Sequence, residues 1–219
     1  MLRVDPAGRG DLLAFTERAL RLDEAAVIRL RVRADGLLGA WMATGFDVLA
    51  VRVVPGSIQP ADMTCAADAL FRGLRGADAD GRVDPGFPMD SAWRGALPPE
   101  VGFVHVDDVP APVFGELARQ GADLAREHGG AHGPPVSLMD QQVLEVSGGG
   151  ATVGVPMRCV LALTAMGFVG DPPPGAHGGG PGGDVVRVRA TPVWLRIDAR
   201  FGSVYRRRGG PELFVRTRS

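Results

Sequence analysis

Four kinds of segment in this sequence hold residue types that do chemistry. The first is Glu127-His128-Gly129-Gly130-Ala131-His132, with two imidazoles four positions apart. On a helix that spacing puts both rings on one metal, but paired glycines argue against helix and for a loop at a helix C-terminus. A metal or acid–base centre would need His105, Asp107 or Asp108 to join His128 and His132 through the fold. The second is Asp78-Ala79-Asp80-Gly81-Arg82-Val83-Asp84, in which the glycine comes too early for a calcium loop and no Glu closes it, so it reads as an acidic linker. The third is Glu145-Val146-Ser147-Gly148-Gly149, which lacks the leading glycine of a nucleophile elbow and makes Ser147 a turn residue. The fourth is the glycine tract at 178–183, which follows a Pro-rich stretch and precedes a strand. A dinucleotide fingerprint needs strand, glycines and helix in that order. Cys65 and Cys159 have no neighbouring His or base in sequence and read as core thiols.

One stretch carries more. Arg187, Arg189, Arg196, Arg200, Arg206, Arg207 and Arg208 face the single acid Asp198, with Trp194, Phe201 and Tyr205 between them. Arginines interleaved with aromatics on a sheet suit single-stranded nucleic acid, where bases stack on rings and guanidiniums meet phosphates. Arg200-Phe201-Gly202-Ser203-Val204-Tyr205 partly matches a ribonucleoprotein string, without its central aromatic. Against this stands a net charge of −1 over 219 residues, which a dedicated polyanion binder would not carry.

No Lys and no Asn occur in the chain. The missing Lys excludes a Walker A loop, a protein-kinase ATP site and a pyridoxal-phosphate Schiff base. No cofactor is implied. The bias toward Arg, Gly, Ala and Pro fits a GC-rich bacterial genome.

The elements that must position these residues follow from hydrophobic periodicity. Asp11 caps a helix to about Leu22, with Leu12, Phe15, Ala19 and Leu22 inward. In residues 26–34, Ile28, Leu30 and Val32 alternate with Arg29, Arg31 and Arg33, which predicts a half-buried strand. Asp35-Gly36 turns it into strands at 37–43 and 46–54. A helix is expected at 60–74, then an irregular linker at 76–100, a strand at 101–106, and a helix from Pro110 burying Val113, Leu117, Gly121 and Leu124. A hairpin at 142–146 and 152–155 feeds Pro156 to Gly170, which has no polar side and must be covered all round. After a Gly/Pro loop at 171–183 the end is β, at 185–190, 193–199, 203–207 and 213–215. The prediction is an α+β protein of two packed subdomains with mainly antiparallel sheets, divided 1–75 and 101–219.

Asp107 to Pro112, Ser137 to Leu144, Val155 to Gly170 and Trp194 to Tyr205 together resemble an uncharacterised protein family of high-GC actinobacteria. The resemblance implies a bacterial protein and no particular activity. The N-terminus has no apolar run of the signal-peptide kind, and Cys159 to Val169 is too short for a bilayer, so a cytoplasmic location is expected. The first functional expectation is a non-enzymatic binding or adaptor protein with another protein as partner. The second is nucleic-acid binding through Arg187, Arg189, Trp194, Arg196, Arg200, Phe201, Tyr205 and Arg206. The third is an enzyme with a site assembled from distant residues such as His105, Asp107, His128 and His132.

Overall fold

The structure is a computed structural model and describes residues 1–128, 136–169 and 184–209. In chain order the first half holds β1 (Leu2–Val4), α1 (Pro6–Leu22), β2 (Val27–Val32), β3 (Leu38–Thr44), β4 (Val48–Val54), β5 (Gly56–Ile58), β6 (Asp62–Ala66), α2 (Ala67–Arg75) and β7 (Arg82–Val83). The second holds β8 (Val104–Pro110), α3 (Ala111–His128), α4 (Val136–Asp140), β9 (Gln142–Gly148), β10 (Ala151–Pro156), α5 (Met157–Ala165), β11 (Val185–Ala190), β12 (Trp194–Ala199) and β13 (Gly202–Arg207). The predicted strand at 213–215 and the loop at 171–183 lie outside the described residues.

The class is α+β, and every strand pair is antiparallel. One eight-stranded sheet runs β6-β2-β3-β4-β13-β12-β11-β8, beside a three-stranded sheet β5-β1-β7 and the hairpin β9–β10. The large sheet is two similar halves placed head to head. Each contributes a three-stranded meander, β2-β3-β4 or β11-β12-β13, flanked by a strand that leads directly into a helix, β6 into α2 and β8 into α3. The halves meet where β4 pairs with β13, Val51 opposite Ser203 and Leu49 opposite Tyr205.

One face of this sheet carries the main core. Ile28, Leu30, Ala40, Met42, Ala50, Val186, Val188, Ile197 and Val204 are closed off beneath the helices, where Phe15, Leu70, Phe114 and Leu163 are also buried. The buried helix expected at about 156–169 is α5, which stops at Ala165 where Gly167 turns the chain at φ 60°; every residue from Met157 to Val160 is buried, while Thr164 is exposed. Its apolar side chains each contribute roughly 1.5–3 kcal/mol when fully buried.

The one charge on that helix ties the halves together. Arg158, 6% exposed, donates from Nη1 to the Phe46 carbonyl in the β3–β4 turn at 2.8 Å and from Nη2 to Asp140 at 2.5 Å. Asp140 also accepts from Arg206 on β13 at 3.1 Å. A guanidinium in the core is tolerated because its terminal nitrogens are hydrogen-bonded and lie beside the carboxylates of Asp140 and Asp47.

Three sequence expectations are corrected. The helix expected at 60–74 starts only at Ala67, since 62–66 is a strand paired with β2, Ala66 opposite Val27 and Asp62 opposite Arg31. Met63 and Cys65 alternate as strand residues, but the alanines and leucines after them extend a helical period backwards. Helix α1 starts at Pro6, with Asp5 preceding it, rather than at Asp11, because proline favours the first helical position. Helix α3 buries Phe114, Ala118 and Gly121, a stripe offset from the expected one, and leaves Val113 at the surface.

The route of residues 84–103 follows from the strand order. Strands β6 and β8 form opposite edges of the eight-stranded sheet, roughly 34 Å apart at about 4.8 Å per strand. The chain is secured at β6, where Met89 N–H donates to Thr64 O at 2.7 Å and Asp90 accepts from Thr64 N–H at 2.7 Å. It then crosses the uncovered sheet face, and Trp93, Leu97 and Phe103 pack there on Trp41, Val51, Trp194 and Tyr205.

Replacing Arg158 with Met would leave the Phe46 carbonyl without that donor and the half-exposed Asp140 with Arg206 alone. A loss of about 1–2 kcal/mol is expected, read as a lower urea midpoint with an unchanged slope. Unchanged stability would show that the halves are held by strand pairing and apolar packing alone.

Candidate binding surface on the outer sheet face

The sheet face away from the helices is built of alternating residues, since directly paired positions on neighbouring strands point the same way. One row runs Asp108–Arg187–Asp198–Ser203–Val51–Trp41–Arg29–Thr64 across the whole sheet. The next runs His105–Arg189–Arg196–Tyr205–Leu49. The surface therefore has a basic end on β11–β12, an aromatic middle and a second basic end on β2.

The two ends are satisfied differently. On β2, Arg29 makes a two-pronged contact with Asp62, both bonds at 2.7 Å, and its guanidinium lies 5.8 Å from the Trp93 ring. The carboxylate favours the charged form and raises the Arg29 pKa. Arg33 likewise holds Asp35, at 2.8 Å, and lowers that carboxyl's pKa. At the other end Arg196 donates from Nε to Asp198 at 2.7 Å and sits over Phe103 and Tyr205, 5.6 and 5.5 Å from the ring centroids. Ser203 donates to the same Asp198 oxygen at 2.5 Å. Arg187 comes no closer than 3.8 Å to Asp108, which is 3.7 Å from His105.

Of the eight residues that suggest nucleic-acid binding, the structure brings Arg187, Arg189, Trp194, Arg196 and Tyr205 onto this face. It sends Arg200, Phe201 and Arg206 elsewhere. Trp194 and Tyr205 are buried, the latter against Trp41 and Phe103 at 5.2 and 5.8 Å between centroids. Arg207 covers Trp194 at 5.8 Å. Phe201, in the β12–β13 turn, packs against the main core, with Arg52 and Arg200 over its ring. Arg200 is 3.7 Å from Asp184, and Arg206 belongs to the Arg158–Asp140 group.

His105 and Asp107 lie near each other on β8, but Asp107 accepts from the Asp108 N–H. His128 ends α3, and His132 lies outside the described residues. Among the described residues no group of three or more His, Cys, Asp or Glu side chains is placed to hold a metal ion. Ser147 shares a hydrogen bond with Thr152 across the β9–β10 hairpin at 2.9 Å. The carboxylates of Asp78 and Asp80 lie 3.9 and 3.4 Å from Arg82. Trp41, Trp93 and Phe103 complete the aromatic middle, and sequence reasoning missed them. The signal for Trp41 and Val51 was their position on alternating strands; Trp93 sits in the expected linker and had none, and Phe103 fell in a strand expected at 101–106 that instead begins at Val104.

The helix layer opposite is close to charge-balanced. Glu17 pairs with Arg21 at 2.7 Å, Asp68 with Arg72 at 2.8 Å, Glu116 with Arg119, Asp123 with Arg126, and Asp11 with Arg52. Such exposed pairs contribute only about 0–1 kcal/mol each to stability, yet they cancel most of the helices' positive field. No helix among the described residues is long and apolar enough to cross a membrane.

Burial pushes Cys65, Cys159 and Tyr205 each up to about 12. As pH rises past the ordinary thiol and phenol range, the unfolded chain releases these protons first, so stability falls between roughly pH 9 and 12. The melting temperature should drop over pH 8–11, and less steeply in a Cys65→Ala/Cys159→Ala variant. Equal slopes in the two proteins would mean that the thiols titrate normally in the folded state.

The fold is similar to the DNA polymerase sliding clamp from Bacillus subtilis, with a TM-score of 0.58 and 11% identity, over 96% of this chain and 65% of that one. It is similar to the sliding clamp from Caulobacter crescentus, TM-score 0.55 and 15% identity, over 98% and 67%. For the beta subunit from DNA polymerase of Streptococcus pyogenes the values are 0.57 and 9%, over 96% and 65%. The chain thus spans about two thirds of the length of these clamps, and identities this low establish the fold alone. No curated protein matches the sequence. Residues 1–95 match the family model of a domain of unknown function, DUF8010. Residues 98–211, more than half of the chain, match a second, and the chain belongs to the family of the domain of unknown function DUF8185.

Proposed function

We propose that this chain is a non-enzymatic binding protein that uses the sliding-clamp scaffold as an adaptor, with another protein as its main partner. The observation that carries the reading is the likeness to sliding clamps over 96% of the chain. A fold does not by itself assign a role, and the charge distribution supports choosing protein over nucleic acid. The helix arginines are largely matched by carboxylates, and the net charge is −1. Binding to a phosphate backbone instead depends on unmatched cations that displace counterions. The reading includes a cytoplasmic location in a high-GC actinobacterium.

Nucleic-acid binding is the second reading. It is favoured by the neighbours in fold, which are DNA polymerase sliding clamps, and by the arginines of β11 and β12.

The two separate in one experiment. The tagged protein is used for capture from a lysate, with and without nuclease, at about 200 mM salt, and in parallel for filter binding of a 40-base-pair duplex at about 50 and 200 mM. The expected result is a protein partner that survives nuclease, with duplex binding weak at both salt levels. Capture that disappears with nuclease, together with duplex binding that falls steeply with salt, would overturn the first reading in favour of the second.

A further inference from the structure

We propose that the β11–β12 end of the outer sheet face, at Arg187, Arg189 and Arg196, is a docking site for an acidic peptide segment of a partner protein. The inference rests on the protein-partner reading and names the chemistry of the contact. Arg189 and Arg196 stand directly opposite each other on neighbouring strands. Like charges in that relation oppose sheet formation by up to about 1 kcal/mol, so an anion is called for between or above them.

The chain's own anion meets that demand only in part. Asp198 is 14% exposed at its side chain and spends one oxygen on Arg196 and Ser203. Its other oxygen, Oδ2, is buried without a hydrogen bond, as is Nε of Arg189, 3.6 Å away. Arg196 donates only through Nε, and neither Arg189 nor Arg187 donates a hydrogen bond among the described residues. A guanidinium has five donors in a fixed fork, and a carboxylate accepts two of them side by side. Among the described residues, the terminal nitrogens of three neighbouring guanidiniums are thus donors without hydrogen-bond acceptors.

They are also held in place. Phe103 and Tyr205 flank the Arg196 guanidinium, and all three arginines project from paired strands rather than loops, so little ordering entropy remains to be lost on binding. Side-chain exposures of 51%, 35% and 18% for Arg187, Arg189 and Arg196 leave the group reachable from solvent. An acidic peptide fits better than a nucleic acid for two reasons. Asp108 and Asp198 lie within the same group and oppose a continuous polyphosphate, and the adjacent Trp194 and Tyr205 rings are buried and offer bases no open face. Discrete carboxylates spaced by neutral residues can meet the arginines and avoid the acids.

The test uses the full chain and fluorescence anisotropy. The probes are a fluorescein-labelled (Glu-Gly)5 peptide, the matching (Gln-Gly)5 peptide and a labelled dT20 strand. The variants are Arg187→Gln/Arg189→Gln and, as a control with the same change in net charge, Arg9→Gln/Arg75→Gln on the helix side. We expect the Glu peptide to bind and the Gln peptide not to. The sheet-face variant should bind about tenfold more weakly, with a melting temperature that does not fall, and the helix-side variant within about twofold of the unaltered protein. Equal weakening in both variants, or no binding of the Glu peptide, would overturn the proposal. Tighter binding of dT20 with the same dependence on Arg187 and Arg189 would also overturn it. If a captured protein partner is not displaced by the Glu peptide, the docking site falls while the protein-partner reading stands.

Discussion

The pairing of β4 with β13 is the constraint from which the rest of the architecture follows. Three residue pairs, Val51 with Ser203, Ala50 with Val204 and Leu49 with Tyr205, merge two meanders from opposite ends of the chain into one sheet. Once they are merged, the helices of both halves share one apolar face, and β6 and β8 become the sheet's outer edges. The segment joining them must then cross the other face, because the ladder leaves no shorter route. What looks like an interdomain linker in sequence becomes a structural cover, carrying Trp93, Leu97 and Phe103 onto a slot that would otherwise expose Trp41 and Tyr205. Arg158 is placed at the same seam. It reaches the β3–β4 turn of one half and Asp140 of the other, which fixes α5 over both meanders.

This arrangement separates two surfaces of different character. The helix side is a mosaic in which most cations have an acid one turn away along the helix. The outer sheet side has its charges set by cross-strand register, where a residue's neighbour is decided by pairing rather than by sequence distance. On β2 the register sets Asp62 opposite Arg31, from where it reaches diagonally to Arg29 and accepts two of its donors side by side. On β11 and β12 it sets Arg189 against Arg196 and leaves Asp198 to serve both. The difference between an arginine with its own carboxylate and two arginines sharing one thus comes from where the acids fall in the register. The similarity to sliding clamps bears on the scaffold, whereas these local differences bear on what this chain binds.

Much of the fold was legible in sequence wherever burial imposed a period. Ile28, Leu30 and Val32 against Arg29, Arg31 and Arg33 gave a half-buried strand because a pleated chain must alternate. The stretch from Met157 gave a largely buried helix because, apart from Arg158 and Thr164, nothing on it is polar. Reading failed where two periods abut. Met63 and Cys65 belong to a strand, but Ala66, Ala67, Leu70 and Leu74 continue them as a helical stripe. Only the hydrogen bonds to β2 separate the two.

By itself, then, the sequence determined the α+β class, most of the strands, the buried helix, and the chemistries barred by the missing lysine. These depend on local periodicity and residue type, which neighbours along the chain already encode. The tertiary structure alone decided that the halves share one sheet and that 84–103 crosses it. It also decided which of the C-terminal arginines have acceptors. Those outcomes depend on which distant strands pair and in what register, and a one-residue change of register would move every side chain to the other face. That is why Arg200, Phe201 and Arg206, adjacent in sequence to the outer-face arginines, belong to other parts of the molecule.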